Sequence, residues 1–256
     1  MSIGLNWDNK FVGESSVIFD NGTFFMWYMG YNGIDEGYKI GLATSNDGIN
    51  WIKHPSNPIF KPSALGWDNR GVSHPEVIKI NNLFHMWYSA ITYNSPQPRW
   101  KLGYATSEDG VNWTKYEGNP VMKADQDWEF RGGDGLGSPS GIYENGKFNM
   151  WYHVSGIGYA ESSDGKTWKK DSLNPIVPKG ASGEWDAFFL IDPNVIKDGN
   201  SYKMWYTGLA NGYNDPSIGL ATLEKEPIII VPGMGASLNL SDLSSCKLSE
   251  SHEWTA

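Results

Sequence analysis

The sequence is short of cysteine, of clustered basic residues and of long apolar stretches, and each shortage excludes a class of protein. Its single cysteine, Cys246, cannot form a disulfide within the chain. Lys and Arg total 20 against 29 Asp and Glu, a net charge of −9, which argues against nucleic acid or an anionic membrane as the main partner. No run of about 18 apolar residues occurs, and the start MSIGLNWDNK lacks the features of a signal peptide. We therefore expect no nucleic-acid partner, no membrane span and no signal peptide.

Aromatic residues and glycine, by contrast, are abundant and recur in a pattern. The 13 Trp, 13 Tyr and 30 Gly are typical of a many-stranded β protein with tight turns. A Met-Trp-Tyr triplet occurs four times, each copy follows a Trp-Asp or Trp-Glu pair, and Ser-x-Asp-Gly-x-x-Trp follows the first three copies. The triplets lie at 26–28, 86–88, 150–152 and 204–206. A repeat of this length predicts stacked structural units.

Each unit has the pattern of four short antiparallel strands joined by Asn-Gly-type and Asp-Gly turns, with no helical period between them. The Met-Trp-Tyr strand is apolar on both faces, as in a sheet buried between two neighbours. The sequence therefore predicts an all-β fold, a β-propeller of four-stranded antiparallel blades with four blade repeats visible. Either four blades close the ring or a further blade lies outside this chain. The propeller should span 1–226, in units of about 7–60, 67–122, 128–178 and 185–224, followed by a tail at 227–256.

Two repeated features invite functional interpretations that packing explains better. The triplet tryptophans could stack on sugars, but a residue that is identical in every unit is expected to pack between blades. The Asp of the Asp-Gly turn could bind calcium, but it is expected to cap its own turn by accepting backbone N–H bonds. We predict no metal site and no cofactor.

The positions where the repeats differ point to a site. The inner strands and the long loops should begin at one end of the propeller, here called the upper face, while both tight turns lie at the other end. Functional residues concentrate on long loops over a rigid scaffold. The residues that begin the four inner strands, here called the ring residues, are all polar and all different: Glu14, His74, Ser138 and Asp192. They should surround the mouth of the central channel, either as an asymmetric ligand site or merely as polar residues beside a solvated channel.

Other upper-face residues are candidates for holding a substrate. Arg70 and Arg131 each follow a repeat tryptophan by three residues and could bind hydroxyl or carboxylate groups. Trp100 lies outside the repeat, which makes it a better stacking candidate than the triplet tryptophans. Further loop candidates are Tyr31, Asp35, Tyr93, Tyr213 and Asp215.

These features resemble the five-bladed β-propeller glycosidases, the superfamily of glycoside hydrolase families 43 and 32, over roughly residues 7 to 223. The resemblance rests on Asp192-Pro193, the aromatic strand run and Ala-Thr-Ser-x-Asp-Gly-x-x-Trp. It implies three carboxylates at the channel mouth, including a protonated acid for the leaving oxygen and a carboxylate that activates water or attacks the sugar. Asp192 fits this pattern, and Glu14 holds the matching position in the first unit, although Ser15 replaces the proline.

The position of the third carboxylate departs from the family pattern. The acid would fall two residues before the proline of the third unit, where the sequence has Gly137, and Asp134 is the nearest carboxylate. Glu76 should lie on the same side of its strand as His74, since strand side chains alternate, and His74 could itself act as an acid or base.

Two weaker resemblances concern other segments. The Asp-Gly turn is similar to a shortened Asp-box of sialidases, with different spacing. The tail segment EPIIIVPGMGAS resembles the first core strand and oxyanion loop of lipase-type α/β-hydrolases, which would imply a fused hydrolase domain. Alternatively, the tail is a strand that closes the ring, followed by a Ser-rich end.

The leading hypothesis is a glycosidase-like, carbohydrate-active propeller that hydrolyses or binds an oligosaccharide or polysaccharide at the upper face. Asp192 and Glu14 would be the carboxylate pair, assisted by His74, Glu76 or Asp134, with Ser138 among the substrate contacts. The alternatives are a non-catalytic glycan- or protein-binding module that accompanies a hydrolase domain, and a purely structural propeller.

Overall fold

The computed structural model describes residues 7–33, 37–92, 100–130, 135–212 and 214–224. Its regular structure consists of fifteen strands and one short 3-10 helix, Asp127–Phe130. No helix in these ranges is long and apolar enough to cross a membrane. The predicted tail at 227–256, with Cys246, lies outside the described residues.

The strands form four antiparallel sheets, which confirms the predicted propeller of blades. Blade 1 contains β1 (Phe11–Asp20), β2 (Thr23–Tyr31), β3 (Lys39–Ser45) and β4 (Ile52–Lys53). Blade 2 contains β5 (Gly71–Ile80), β6 (Leu83–Ile91), β7 (Trp100–Ser107) and β8 (Thr114–Lys115). Blade 3 contains β9 (Gly137–Glu144), β10 (Lys147–His153), β11 (Ile157–Ser162) and β12 (Lys169–Lys170). Blade 4 contains β13 (Phe189–Asp198), β14 (Ser201–Asn211) and β15 (Asn214–Glu224), and its described part lacks the short outer strand.

The triplet tryptophans of blades 1 to 3 pack between blades, as predicted, whereas Trp205 of blade 4 is partly exposed. Trp27 of blade 1 is fully buried, contacts Phe84 of blade 2 and donates its indole N–H to the carbonyl of Gly110 at 2.8 Å. Trp87 of blade 2 donates in the same way to Gly165 of blade 3, also at 2.8 Å. Each hydrogen bond satisfies the one polar atom of a buried indole, so the tryptophans fix each blade against the next.

The Asp-Gly turns are also capped as predicted. Asp47 Oδ1 accepts the backbone N–H groups of Ile49 and Asn50 at 2.9 and 2.7 Å. Asp109 and Asp164 make the same pair of contacts in blades 2 and 3. These carboxylates stabilise the hairpin turns at the lower face. Because their role is structural, the upper face is still the expected location of a functional site.

In the first three units, the acidic residue of the Trp-Asp or Trp-Glu pair joins the start of the blade to its outer strand. Asp68 is buried, and its Oδ2 lies 2.6 Å from Lys115 Nζ of β8. Asp8 pairs with Lys53 in blade 1, and Glu129 pairs with Lys170 in blade 3. The repeated ion pair explains why the acid recurs in these three units.

Neighbouring inner strands are joined by side-chain hydrogen bonds two positions beyond the ring residues. Ser16 Oγ accepts the N–H of Val77 at 3.0 Å, Glu76 Oε1 accepts that of Gly141 at 2.8 Å, and Ser140 Oγ accepts that of Val195 at 3.0 Å. Within the described ranges, β1, β5, β9 and β13 contact one another in this order, but no comparable contact joins β13 back to β1. The described ring is therefore open between blades 4 and 1.

Candidate active site

The four ring residues occupy a special backbone conformation. The sequence places them at the first position of each inner strand, but in the structure they lie inside β1, β5, β9 and β13, at points where the strand register shifts. Glu14, His74, Ser138 and Asp192 all have a left-handed backbone, with φ of 48, 46, 46 and 52°. This region is uncommon for residues other than glycine and often marks functional sites. The β-bulges turn the four side chains toward the channel mouth.

The side chains of three ring residues meet at the imidazole of His74. Its Nε2 lies 2.9 Å from Glu14 Oε2 and 3.5 Å from Asp192 Oδ1, and its Nδ1 lies 2.8 Å from the hydroxyl of buried Ser73. The fourth ring residue, Ser138, donates its hydroxyl to Asp192 Oδ1 at 2.5 Å. Because both carboxyl oxygens contact one nitrogen, they lie within about 6.4 Å of each other, well inside the range of up to about 9.5 Å that separates glycosidase carboxylates.

The charges of this network reinforce one another. Burial opposes the protonated imidazole, but the charge of Glu14 and the hydrogen bonds to Asp192 and Glu14 outweigh it and raise the pKa of His74 to about 9. Burial also opposes the ionised form of Asp192, yet His74 and Ser138 hold the pKa of this carboxyl well below its usual range. At neutral pH the mouth therefore presents a cationic His74 beside an ionised Asp192.

Below the ring residues, the channel lining combines polar side chains with isoleucines. Glu76 lines the same cavity as the four ring residues, which agrees with its predicted side of the strand. Deeper in the channel lie four equivalent isoleucines, Ile18, Ile78, Ile142 and Ile196. Burial raises the pKa of Glu76 to about 7, although hydrogen bonds from Gly141 and Ser16 oppose the rise. Glu76 is thus a carboxyl group that holds a proton over part of the neutral range.

A second histidine was not foreseen from the sequence. The ring of His153, at the end of β10, lies 6.5 Å from the ring of His74, and a β-carbon at Gly137 would lie only 3.0 Å from His153 Cε1. The imidazole of His153 therefore lies against the position where the resemblance calls for an acid. Burial lowers the pKa of His153 to about 4, so this ring is neutral. The signal available in the sequence was the single histidine that directly follows a Met-Trp-Tyr triplet.

The predicted substrate-binding residues are only partly within the described ranges. The ring of Trp100 lies 6.4 Å from that of His74, edge to face, and Tyr38 lies 6.4 Å from Trp100. Arg70 is close enough to Tyr38 for its charge to oppose the rise in the pKa of that phenol, which burial and Glu14 produce. Tyr93, Arg131 and Asp134 lie outside the described residues, as do Asp35 and Tyr213. Among the described residues, no group of three or more His, Cys, Asp or Glu side chains could hold a metal ion.

Sequence comparisons find relatives that are 27–29% identical to this chain. No family model matches the sequence. Uncharacterized protein Rv1502 of Mycobacterium tuberculosis is 29% identical over 169 residues, which cover 59% of this chain and 53% of that protein. This chain therefore spans about half the length of that relative. The 1,2-beta-oligomannan phosphorylase of Thermoanaerobacter sp. is 27% identical over 242 residues, which cover 87% of this chain and 76% of that enzyme.

Solved structures share the fold at low sequence identity. A structure from the GH130 family of mannoside phosphorylases, a family containing glycoside hydrolases that target beta-1,2 mannosidic linkages in Candida mannan, has a TM-score of 0.67 and 18% identity. The match covers 85% of this chain and 68% of that structure. The GH32 beta-fructofuranosidase BmSUC1 of Bombyx mori has a TM-score of 0.65 and 17% identity, over 84% of this chain and 46% of that structure. These likenesses show the β-propeller fold.

Proposed function

We propose that this protein is a carbohydrate-active propeller that cleaves glycosidic bonds at the mouth of its central channel. The proposal rests on one constellation: Glu14 and Asp192, from different blades, both contact Nε2 of His74 and lie within glycosidase carboxylate spacing. The strained backbone of the ring residues supports it, since such strain is retained where function requires a fixed side chain. The oligomannan phosphorylase, which aligns with most of this chain, gives independent support.

The carboxyl groups would divide the chemistry according to their environments. Asp192 stays ionised, which suits a group that stabilises the oxocarbenium-like transition state or activates the attacking molecule. A proton donor works best when its pKa is near the working pH, and Glu76 meets this condition. Glu14 would hold His74 in position through its contact with Nε2, the nitrogen that Asp192 also contacts.

The first substrates to test are β-1,2-linked manno-oligosaccharides, because two of the similar proteins act on or are named for such linkages. Either water or inorganic phosphate could attack the sugar.

The experiment incubates the 256-residue protein with these oligosaccharides and with a broad glycan panel, with and without inorganic phosphate, and analyses the products by mass spectrometry. Cleavage without added phosphate, with free sugars as both products, would indicate hydrolysis. A sugar 1-phosphate together with a shortened oligosaccharide, formed only with phosphate, would indicate phosphorolysis. The Asp192→Asn variant, which keeps the shape of the side chain but not its charge, should be inactive. Equal activity in this variant would contradict the assignment of Asp192.

One observation favours a second function, a glycan-binding module without catalysis. The third blade has Gly137 instead of a carboxylate at the position that the resemblance assigns to the acid, and the imidazole of His153 lies against it. A folded protein that binds glycans from the panel but cleaves none would support this second function over the first.

A further inference from the structure

Three aromatic side chains form a row that leads away from the channel mouth. Tyr31 and Tyr38 have ring centroids 5.1 Å apart, Tyr38 and Trp100 are 6.4 Å apart, and Trp100 meets the edge of His74 at 6.4 Å. All three members of this aromatic row are partly exposed. None belongs to the buried core clusters between the described blades.

The row is specific to blades 1 and 2. Tyr38 and Trp100 hold the same repeat position, directly before Lys-Ile-Gly and Lys-Leu-Gly, whereas blades 3 and 4 have Ser155 and Pro216 there. The blade-packing residues are repeated, and the ring residues are not. By the same reasoning, aromatic residues that occur in only two adjacent blades belong to a site and not to the blade packing. They make the side of the mouth at blades 1 and 2 different from the side at blades 3 and 4.

The backbone holds the row in place through contacts between blades. The carbonyl of Tyr38 accepts the N–H of Val72 at 3.0 Å, and the carbonyl of Trp100 accepts the N–H of Leu136 at 3.2 Å. Glycines permit both approaches, because a β-carbon at Gly71 would lie 2.9 Å from the nitrogen of Tyr38, and one at Gly135 would lie 2.1 Å from the carbonyl oxygen of Trp100. A backbone that is fixed before binding reduces the conformational freedom that is lost when a ligand stacks on these rings.

We propose that Trp100, Tyr38 and Tyr31 form a stacking subsite for the sugar residues next to the bond that is cleaved, so that the oligosaccharide crosses the rim over blades 1 and 2. The inference rests on the proposed function, since it takes the Glu14–His74–Asp192 constellation as the point of cleavage. Sugar rings have apolar faces that can pack on half-buried aromatic side chains. Glu14 and Arg70 lie close enough to Tyr38 to influence its phenol group electrostatically. The chemical class of ligand is a chain of more than one sugar residue.

The test measures kcat and KM for β-1,2-linked manno-oligosaccharides of increasing length, from the disaccharide to the pentasaccharide, in the wild type and in Trp100→Ala. We expect KM to rise by up to about tenfold in the variant, with the effect growing with chain length and kcat little changed. Trp100→Phe, which keeps an aromatic face, should lie between the two, and thermal melting checks that both variants fold. Tyr143→Ala is the matched control, because Tyr143 is a partly exposed aromatic residue at the lower end of β9 and should leave KM unchanged.

Binding to the same oligosaccharides, measured by titration calorimetry, separates this inference from the proposed function. Cleavage with equal KM in Trp100→Ala at every length would overturn the subsite and leave the enzyme assignment standing. Binding that weakens in Trp100→Ala without any cleavage would support the subsite and overturn the enzyme assignment. If the folded protein neither binds nor cleaves any member of the series, both are overturned.

Discussion

At the residue scale, one imidazole connects carboxyl groups from two other blades. His74 can keep its proton at neutral pH because Glu14 and Asp192 compensate for the cost of burying a charge. The sequence indicated that these residues share the channel mouth, since they occupy one repeat position. It could not indicate their contact distances, nor the approach of His153, because these depend on how the bulges turn each side chain.

The charge of His74 should make stability depend on pH. Its pKa rises from 6.5 to about 9 on folding, so the stabilisation is complete below about 6.5 and disappears as the pH rises through about 9. The free energy of unfolding of wild type minus that of His74→Gln should therefore fall by up to about 3 kcal/mol across this interval. Urea unfolding of both proteins from pH 6 to pH 9.5 measures the difference. A difference that stays constant over this interval would mean that His74 is not the protonated group.

Glu76 allows a test of both catalysis and folding. Its folded pKa lies above the value of 4.5 for a free side chain, so wild type should lose stability as the pH rises from about 4.5 through about 7. Glu76→Gln can still accept the N–H of Gly141 but cannot ionise or donate a proton to a leaving group. We expect kcat to fall about 100-fold or more, with melting temperature at pH 8 equal to or above wild type. Retained activity in the variant would exclude Glu76 as the proton donor.

At the scale of single elements, the strands could be predicted from the sequence, but the β-bulges could not. The alternation of apolar residues, the Asn-Gly turns and the Asp-Gly caps locate the strands of each blade, because each reflects a local rule. A β-bulge places one extra residue in a strand relative to the partner strand. The residue types around Glu14 and Asp192 do not predict the bulges that occur there. The inner strands consequently begin earlier than the sequence suggests, and the ring residues lie within them.

The ion pair between Asp68 and Lys115 shows how a short outer strand is held. Lys115→Met would leave the buried carboxylate of Asp68 without its cation, and we expect a loss of about 2 kcal/mol, less than for a fully buried pair because Lys115 is partly exposed. Asp68→Asn in the same protein should recover part of the loss, since no charge is then left uncompensated. Urea unfolding of the two single variants and the double variant gives the coupling energy. Additive losses would show that the pair contributes only through separate contacts.

At the scale of the whole molecule, residues of the two blades that border the opening are more exposed than residues at the same repeat positions in the closed blade interfaces. Val17 is 46% exposed where the equivalent Val77 is 3% exposed, and Trp205 is 36% exposed where Trp87 is fully buried. The sequence predicted blades with two apolar faces, but it could not show which faces would be covered. That depends on whether the ring closes, and within the described residues it does not.

This contrast predicts unequal effects of one substitution at two equivalent positions. Trp87→Ala removes a buried indole that packs on blade 3 and bonds to Gly165, so it should cost about 3–5 kcal/mol. Trp205→Ala, on the open face of blade 4, should cost less than half as much, because part of the indole is already in contact with water. Chemical unfolding of both variants measures the ratio, and Trp27→Ala, buried like Trp87, serves as a second reference. Equal losses at Trp87 and Trp205 would mean that another polypeptide segment covers blade 4 in solution, and that the described opening is filled.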